Sequence, residues 1–121
     1  MSRHEEQFPI AGFKSAAVAE LDKTDLEYTL FSIGFFTDYL GMPKFKSSLV
    51  PIVVVLDIQN KCAGIPGSGD TTVIFTSSKD VAKFVVASVG LEKWNKRSLI
   101  VGDRKTWNEV LAIAEKVTGK Y

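Results

Sequence analysis

The sequence is poor in the residues that most often betray a chemistry. It holds one cysteine, Cys62, and one histidine, His4. A single thiol rules out an internal disulfide framework and fits a reducing compartment. A single histidine, in the polar first stretch, leaves no basis for a histidine triad or a histidine–cysteine metal cluster, so no metal site is expected. An excess of one charge is missing as well. The chain carries 15 Lys and Arg against 14 Asp and Glu, a net +1, and the basic residues are scattered among acidic ones. Nucleic-acid binders carry a basic stripe instead, so a polyanion partner is not expected. The longest apolar run, Leu49 to Leu56, contains Pro51 and falls well short of the ~20 residues of a membrane helix. Met1 to Gln7 is polar and is not a secretory signal. A cytoplasmic protein without a membrane partner is the expectation. Repeats and low-complexity tracts are also absent.

What remains is an ordinary globular composition. The 121 residues are 45% hydrophobic and 24% charged, which fits one domain or a piece of a larger one. Such a chain can bury roughly two thirds of its unfolded surface.

The pattern alternates between helical and extended periods. Residues 8 to 22 read as a helix with Ile10, Phe13, Ala17 and Leu21 on one stripe. Residues 26 to 33 read as a strand, apolar almost without alternation in its second half, as in a parallel strand covered on both faces. Gly34 follows, then a short helix over Phe35 to Tyr39. Strands are expected at 52 to 57, 60 to 65 and 71 to 76. Ser77 can cap a helix whose buried face is Val81, Phe84, Val85 and Val89. Arg97 to Val101 reads as a strand. Thr106-Trp-Asn-Glu109 has the form of a capping box, opening a last helix that buries Trp107, Val110, Leu111, Ala114 and Val117, with Gly119 as its stop signal. Strands alternating with helices place the chain in the α/β class. Residues 41–76 form a smaller β subdomain between 1–40 and 77–121.

Few residues offer a site. Gly64, Gly67 and Gly69 resemble a phosphate-loop spacing read backwards, but such a loop must follow a strand and open a helix. Here a strand follows and Pro66 removes a donor, so a connecting turn is expected. Lys14 sits one position off the apolar stripe, on the helix preceding the strand that leads to Gly34. It is placed to donate to a ribose hydroxyl or a carbonyl oxygen; the plainer alternative is a solvated lysine with its stem over the core. Ser32, Gly34, Phe35 and Phe36 lie at a strand-to-helix junction, where ligands settle in open α/β sheets. The two phenylalanines suit either the wall of a flat ring or the core. Cys62 reads as a small buried hydrophobe, Tyr28 as a packed strand residue, and Trp94 and Trp107 as packing. Asp38 and Asp57 lack a carboxylate partner, which leaves paired acid–base chemistry unsupported.

Taken in order, these segments resemble a family. Leu26-Glu-Tyr-Thr-Leu-Phe-Ser-Ile-Gly-Phe-Phe-Thr-Asp-Tyr39 looks like the strand and loop beside the nicotinamide in NmrA-like proteins. These are atypical relatives of short-chain dehydrogenases/reductases that include isoflavone-reductase-like enzymes and fungal redox-sensing regulators. Phe75-Thr-Ser-Ser-Lys-Asp-Val-Ala82 and Ser98-Leu-Ile-Val-Gly-Asp103 with Thr106-Trp-Asn-Glu109 resemble later segments of the same family. The resemblance runs from about Phe8 onward and is carried by order and spacing together. It implies the C-terminal part of a Rossmann-type NAD(P)-binding fold with its small substrate subdomain, without the glycine-rich βαβ unit. It also implies that Lys14 acts near the nicotinamide, that Ser32, Ile33, Gly34 and Phe35 line the cofactor side, and that Phe36 borders the substrate pocket. NADP or NAD is the implied cofactor.

Thirteen residues precede Lys14, too few for the family's dinucleotide fingerprint. The expectation is therefore a truncated oxidoreductase-family protein, weak or inactive alone, whose parent activity is NAD(P)H-dependent reduction of a small molecule or sensing of the cofactor. The alternative is a non-enzymatic interaction module. An apolar strand at 26 to 33 without its neighbours leaves an open sheet edge, to be covered by rearrangement, by a second copy or by a partner chain. A broken gene product is a third possibility.

Overall fold

The computed structural model describes residues 9–119. Met1 to Phe8, and with them His4, lie outside the described residues, as does the side chain of Ile10. Helix α1 spans Pro9–Asp22. Strand β1, Leu30–Ser32, is followed by β2, Phe35–Phe36, and the short helix α2, Asp38–Gly41. Then come β3 (Leu56–Asp57), β4 (Cys62–Ala63), β5 (Thr72–Thr76) and helix α3 (Ser78–Ser88). The chain ends in β6 (Arg97–Leu99), β7 (Asp103–Thr106) and helix α4 (Trp107–Thr118).

The strands form three small sheets, ordered β1-β6, β2-β5-β7 and β3-β4. β1 runs parallel to β6 and β2 parallel to β5, while β7 runs antiparallel to β5. The class is mixed α/β. Among the described residues, no helix is long and apolar enough to cross a membrane.

Several expected elements are shorter or different, each for a physical reason. The strand expected at 26 to 33 narrows to three residues because its partner β6 offers only Arg97, Ser98 and Leu99. The helix expected at Phe35 begins three residues later. Phe35 and Phe36 instead pair with Phe75 and Thr76 of β5, and satisfying the backbone in that ladder prevails over helix formation. The strand expected at 52 to 57 keeps only its last two residues. Pro51 supplies no donor, and Val55 at φ 65° turns the chain so that Leu56 N donates to Val54 O across one residue. β7 is not expected from the sequence, because Asp-Arg-Lys-Thr carries no apolar alternation; charge of this kind is common on edge strands. Cys62 is exposed rather than buried.

The core sits where β5, β3 and α4 meet. Leu56, Phe75, Trp107, Val110 and Ala114 are buried, with Phe35, Leu40, Val73 and Leu111 packed around them. The Phe35, Phe75 and Trp107 rings meet edge to face, with centroids 5.1–5.8 Å apart; such pairs add ~0.5–1.5 kcal/mol beyond area burial. The other expected apolar faces are less covered. Phe13 of α1 is 74% exposed, Phe84 and Val89 are exposed at α3, and Val117 is exposed at the end of α4.

The helix starts behave as their sequences dictate. Ser77 Oγ accepts from Asp80 N at the head of α3. Thr106 Oγ1 accepts from Glu109 N at 3.1 Å, while Thr106 N donates to Glu109 Oε2 at 2.7 Å. Because β7 passes directly into α4 at Thr106, this box fixes the strand–helix corner. Thr106→Ala is expected to cost ~1 kcal/mol, read as a lower urea midpoint at unchanged m-value. At the far end Gly119, at φ 93°, donates its N–H to Glu115 O.

Candidate functional site

The junction at Gly34 is a change of partner. The chain pairs with β6 through Ser32, whose carbonyl accepts from Ile100 N at 2.9 Å, and with β5 from Phe35 onward. Gly34 makes the change at φ 71°. Ser32 and Gly34 are exposed and Ile33 is half-buried. Phe35 points into the aromatic core, and Phe36 stacks edge-on against Tyr39 with centroids 6.2 Å apart. Lys14 is exposed on α1, and among the described residues no hydrogen bond or ion pair links it to this junction. The contacts of α1 lie at its end. Lys96 Nζ stands 3.4 Å from Asp22 Oδ1 and 4.1 Å from the Tyr28 ring centre, and the Tyr28 hydroxyl donates to the same Asp22 oxygen. That hydroxyl, with Lys96 behind it, holds the Asp22 carboxyl below the usual range.

Asp38 carries a role that sequence reasoning missed. It is 1% exposed. Its carboxylate accepts from Ser78 N at 2.8 Å and from the hydroxyls of Ser47 and Ser78. One carboxylate thus ties α2, the loop after it and the first turn of α3. Burial pushes the Asp38 carboxyl up, but the Ser47 and Ser78 hydrogen bonds prevail and hold it below the ordinary value. The motif Thr-Asp in the sequence gives no sign of this, since the donors lie 9 and 40 residues away.

A cavity of about 670 Å³ opens between α2 and α4, lined by Leu40, Met42, Ile58, Val110, Ile113 and Val117, among others, with Lys44 and Lys61 as its charged members. A smaller one of about 240 Å³ adjoins it across Met42, Pro43, Ile58 and Gln59. None of Lys14, Ser32, Ile33, Gly34, Phe35 or Phe36 lines either. Among the described residues no group of three His, Cys, Asp or Glu is placed to hold a metal ion.

The described residues do not fit the pyrophosphate of a dinucleotide. The glycine-rich segment 64 to 70 joins β4 to β5 and opens no helix. The segment is docked on α4 through its acceptors: Asn108 Nδ2 donates to Ser68 O at 3.0 Å and to the Asp70 side chain at 2.7 Å, and Asn108 N donates to Gly69 O. It is a connecting turn docked on the head of α4.

The chain is 46% identical to the oxidoreductase BOA1 of Botryotinia fuckeliana over 118 residues, 98% of its own length and 39% of that protein's. It is similar to oxidoreductases. The oxidoreductase swnN of Metarhizium robertsii is 32% identical across 89% of the chain, and the photosystem II assembly factor Ycf39 of Trieres chinensis 25% identical across 98%. The chain spans only 33–39% of the length of these three relatives. No family model matches the chain, and no solved structure matches it.

Proposed function

We propose that this chain forms the nicotinamide-side and substrate-side wall of an NAD(P)H-dependent oxidoreductase of the NmrA-like type, in the C-terminal part of a Rossmann-type fold. The similarity to the oxidoreductase BOA1 along 98% of the chain carries this reading. The Gly34 junction supports it: parallel strands change partner there, and such points are where ligands sit in open α/β sheets. In this reading Ser32, Ile33, Gly34 and Phe35 border the nicotinamide, Phe36 borders the substrate, and Lys14 donates to a hydroxyl or carbonyl oxygen. The phosphates must be held elsewhere, since the described residues offer no cradle for them.

Reduced nicotinamide mononucleotide isolates this wall, because it lacks the pyrophosphate and the adenosine. Titrated into the chain, it is expected to shift the amide resonances of Ile33, Gly34 and Phe35 at millimolar concentration, and Lys14→Met is expected to weaken that response. Unmoved amides at 32 to 36, or a Lys14→Met variant that responds as the parent does, would sink the reading.

A second reading follows from the uncovered apolar surface. β1 pairs only with β6 among the described residues, and Phe13, Leu26, Leu99 and Val86 are all more than half exposed. Exposed apolar residues together with an unpaired strand edge suit an interaction surface, and here a second copy or a partner chain would cover it. A stable monomer by light scattering would count against this alternative.

A further inference from the structure

The cavity between α2 and α4 has no part in the redox wall, yet it has the makings of a ligand site. Its volume of about 670 Å³ lies within the roughly 300–1,000 Å³ of small-molecule pockets. One wall is α4, where buried Val110 and the more exposed Ile113 and Val117 recur at helical spacing. The opposite wall is Leu40, Met42 and Ile58.

The polar lining is one-sided in charge. Lys44 and Lys61 are present and no carboxylate lines the space. Neither lysine makes an ion pair among the described residues. Lys61 lies in the turn between β3 and β4 at φ 53°, and its Nζ reaches within 4.0 Å of where a side chain would begin at Gly119, beyond the end of α4. The Thr118 hydroxyl is already committed to Ala114 O at 2.7 Å. An apolar space whose charged lining residues are two cations without ion pairs selects for a molecule that is apolar along its length and anionic at one end.

We propose that this cavity binds an amphipathic carboxylate, with its hydrocarbon between α4 and the Leu40–Met42–Ile58 wall and its carboxylate held by Lys44 and Lys61. Ammonium-to-carboxylate hydrogen bonds are charge-assisted and stronger than neutral ones. A cation of equal chain length is therefore discriminated against, although the hydrocarbon burial is the same.

The test is a titration of the whole chain with decanoate and, separately, decyltrimethylammonium, both below micelle formation, followed by amide resonances. Decanoate is expected to move the amides of Lys44, Lys61 and residues 110 to 118 and to bind about 10-fold tighter than the cation, the scale of one charge-assisted contact. Lys44→Gln with Lys61→Gln is expected to abolish that preference by weakening decanoate, with no loss of affinity for the cation. Ile113→Glu, a change at a half-exposed helix position, is expected to expel decanoate without lowering the thermal midpoint. Equal affinity for the two amphiphiles, an unaltered preference in the double variant, or shifts confined to the exposed faces of α1 and α3 would overturn the proposal. The titration contains no nicotinamide compound, so its outcome is separate from that of the redox reading.

Discussion

Gly34→Ala is expected to be the most damaging single-methyl change in the chain. Two costs fall on one atom. The residue stands at φ 71°, and a side chain in the left-handed region costs roughly 1–2 kcal/mol. A Cβ there would also overlap the Ile74 carbonyl oxygen and lie 2.8 Å from the carbonyl carbon. The neighbour is backbone in the central strand of a three-stranded sheet, so it cannot rotate away as a flexible side chain would. The combined loss is expected to exceed ~3 kcal/mol, a fall of more than about 10 °C in midpoint for a chain of this size. Gly12→Ala is the matched control. It lies within α1 with nothing within 4 Å of the added carbon, and alanine there is expected to stabilise by ~0.5–1 kcal/mol. Thermal unfolding followed by far-UV circular dichroism reads both. A Gly34→Ala midpoint within a few degrees of the parent would mean that β2 does not approach β5 as described.

The second large effect is the loss of the Asp38 carboxylate, and pH exposes it. Asp38→Asn keeps the shape but removes the charge that three donors address, and hydrogen bonds to charged groups are each worth ~1.5–3 kcal/mol. At pH 7 a deficit of about 2–3 kcal/mol is expected. The folded carboxyl titrates below its ordinary value. Its contribution is therefore complete above the unfolded value of ~3.9 and is lost as pH falls through the lower folded value. Urea midpoints of parent and variant should accordingly stand apart at pH 7 and draw together below about pH 4. Asp22 and Asp57 are also held low by hydrogen bonds, so the parent itself weakens in acid. The difference between the two proteins, rather than either curve alone, is diagnostic. A gap that stays constant down to pH 3 would show that the charged form of the carboxyl gains nothing on folding.

Much of the local structure was legible in the sequence because it depends on neighbours in the chain. The Ser77 cap, the Thr106–Glu109 box and the stop at Gly119 involve residues within four positions of each other, and each appears as its pattern dictates. The buried stripe of α4 was legible for the same reason, except at Val117. What the sequence concealed depends on distance. The Asp38 node joins residues 38, 47 and 78; the cavity draws on 40 to 44, 58 to 61 and 110 to 118. None of these residues is unusual alone. The strand assignments failed where hydrogen bonding outweighed propensity. Ile52 to Val54 are strong β-formers, but they gain only the isolated bridge between Val54 and Leu56, whereas polar Asp103 to Thr106 find β5 and become a strand. The candidate residues divide in a similar way. Ser32 to Phe36 are consecutive and stay together, while Lys14 depends on how α1 is seated.

The docked turn at 64 to 70 has a practical consequence for anyone who would alter this chain. Its glycines and serine invite the insertion of a tag or a protease site, the usual choice for a solvent-facing connection. Yet Asn108 grips it through three hydrogen bonds and is itself the second residue of α4. Added length there would pull on the head of the helix that carries Trp107 and Val110. The most accommodating-looking stretch of the chain is therefore among the least suitable places to cut or to splice.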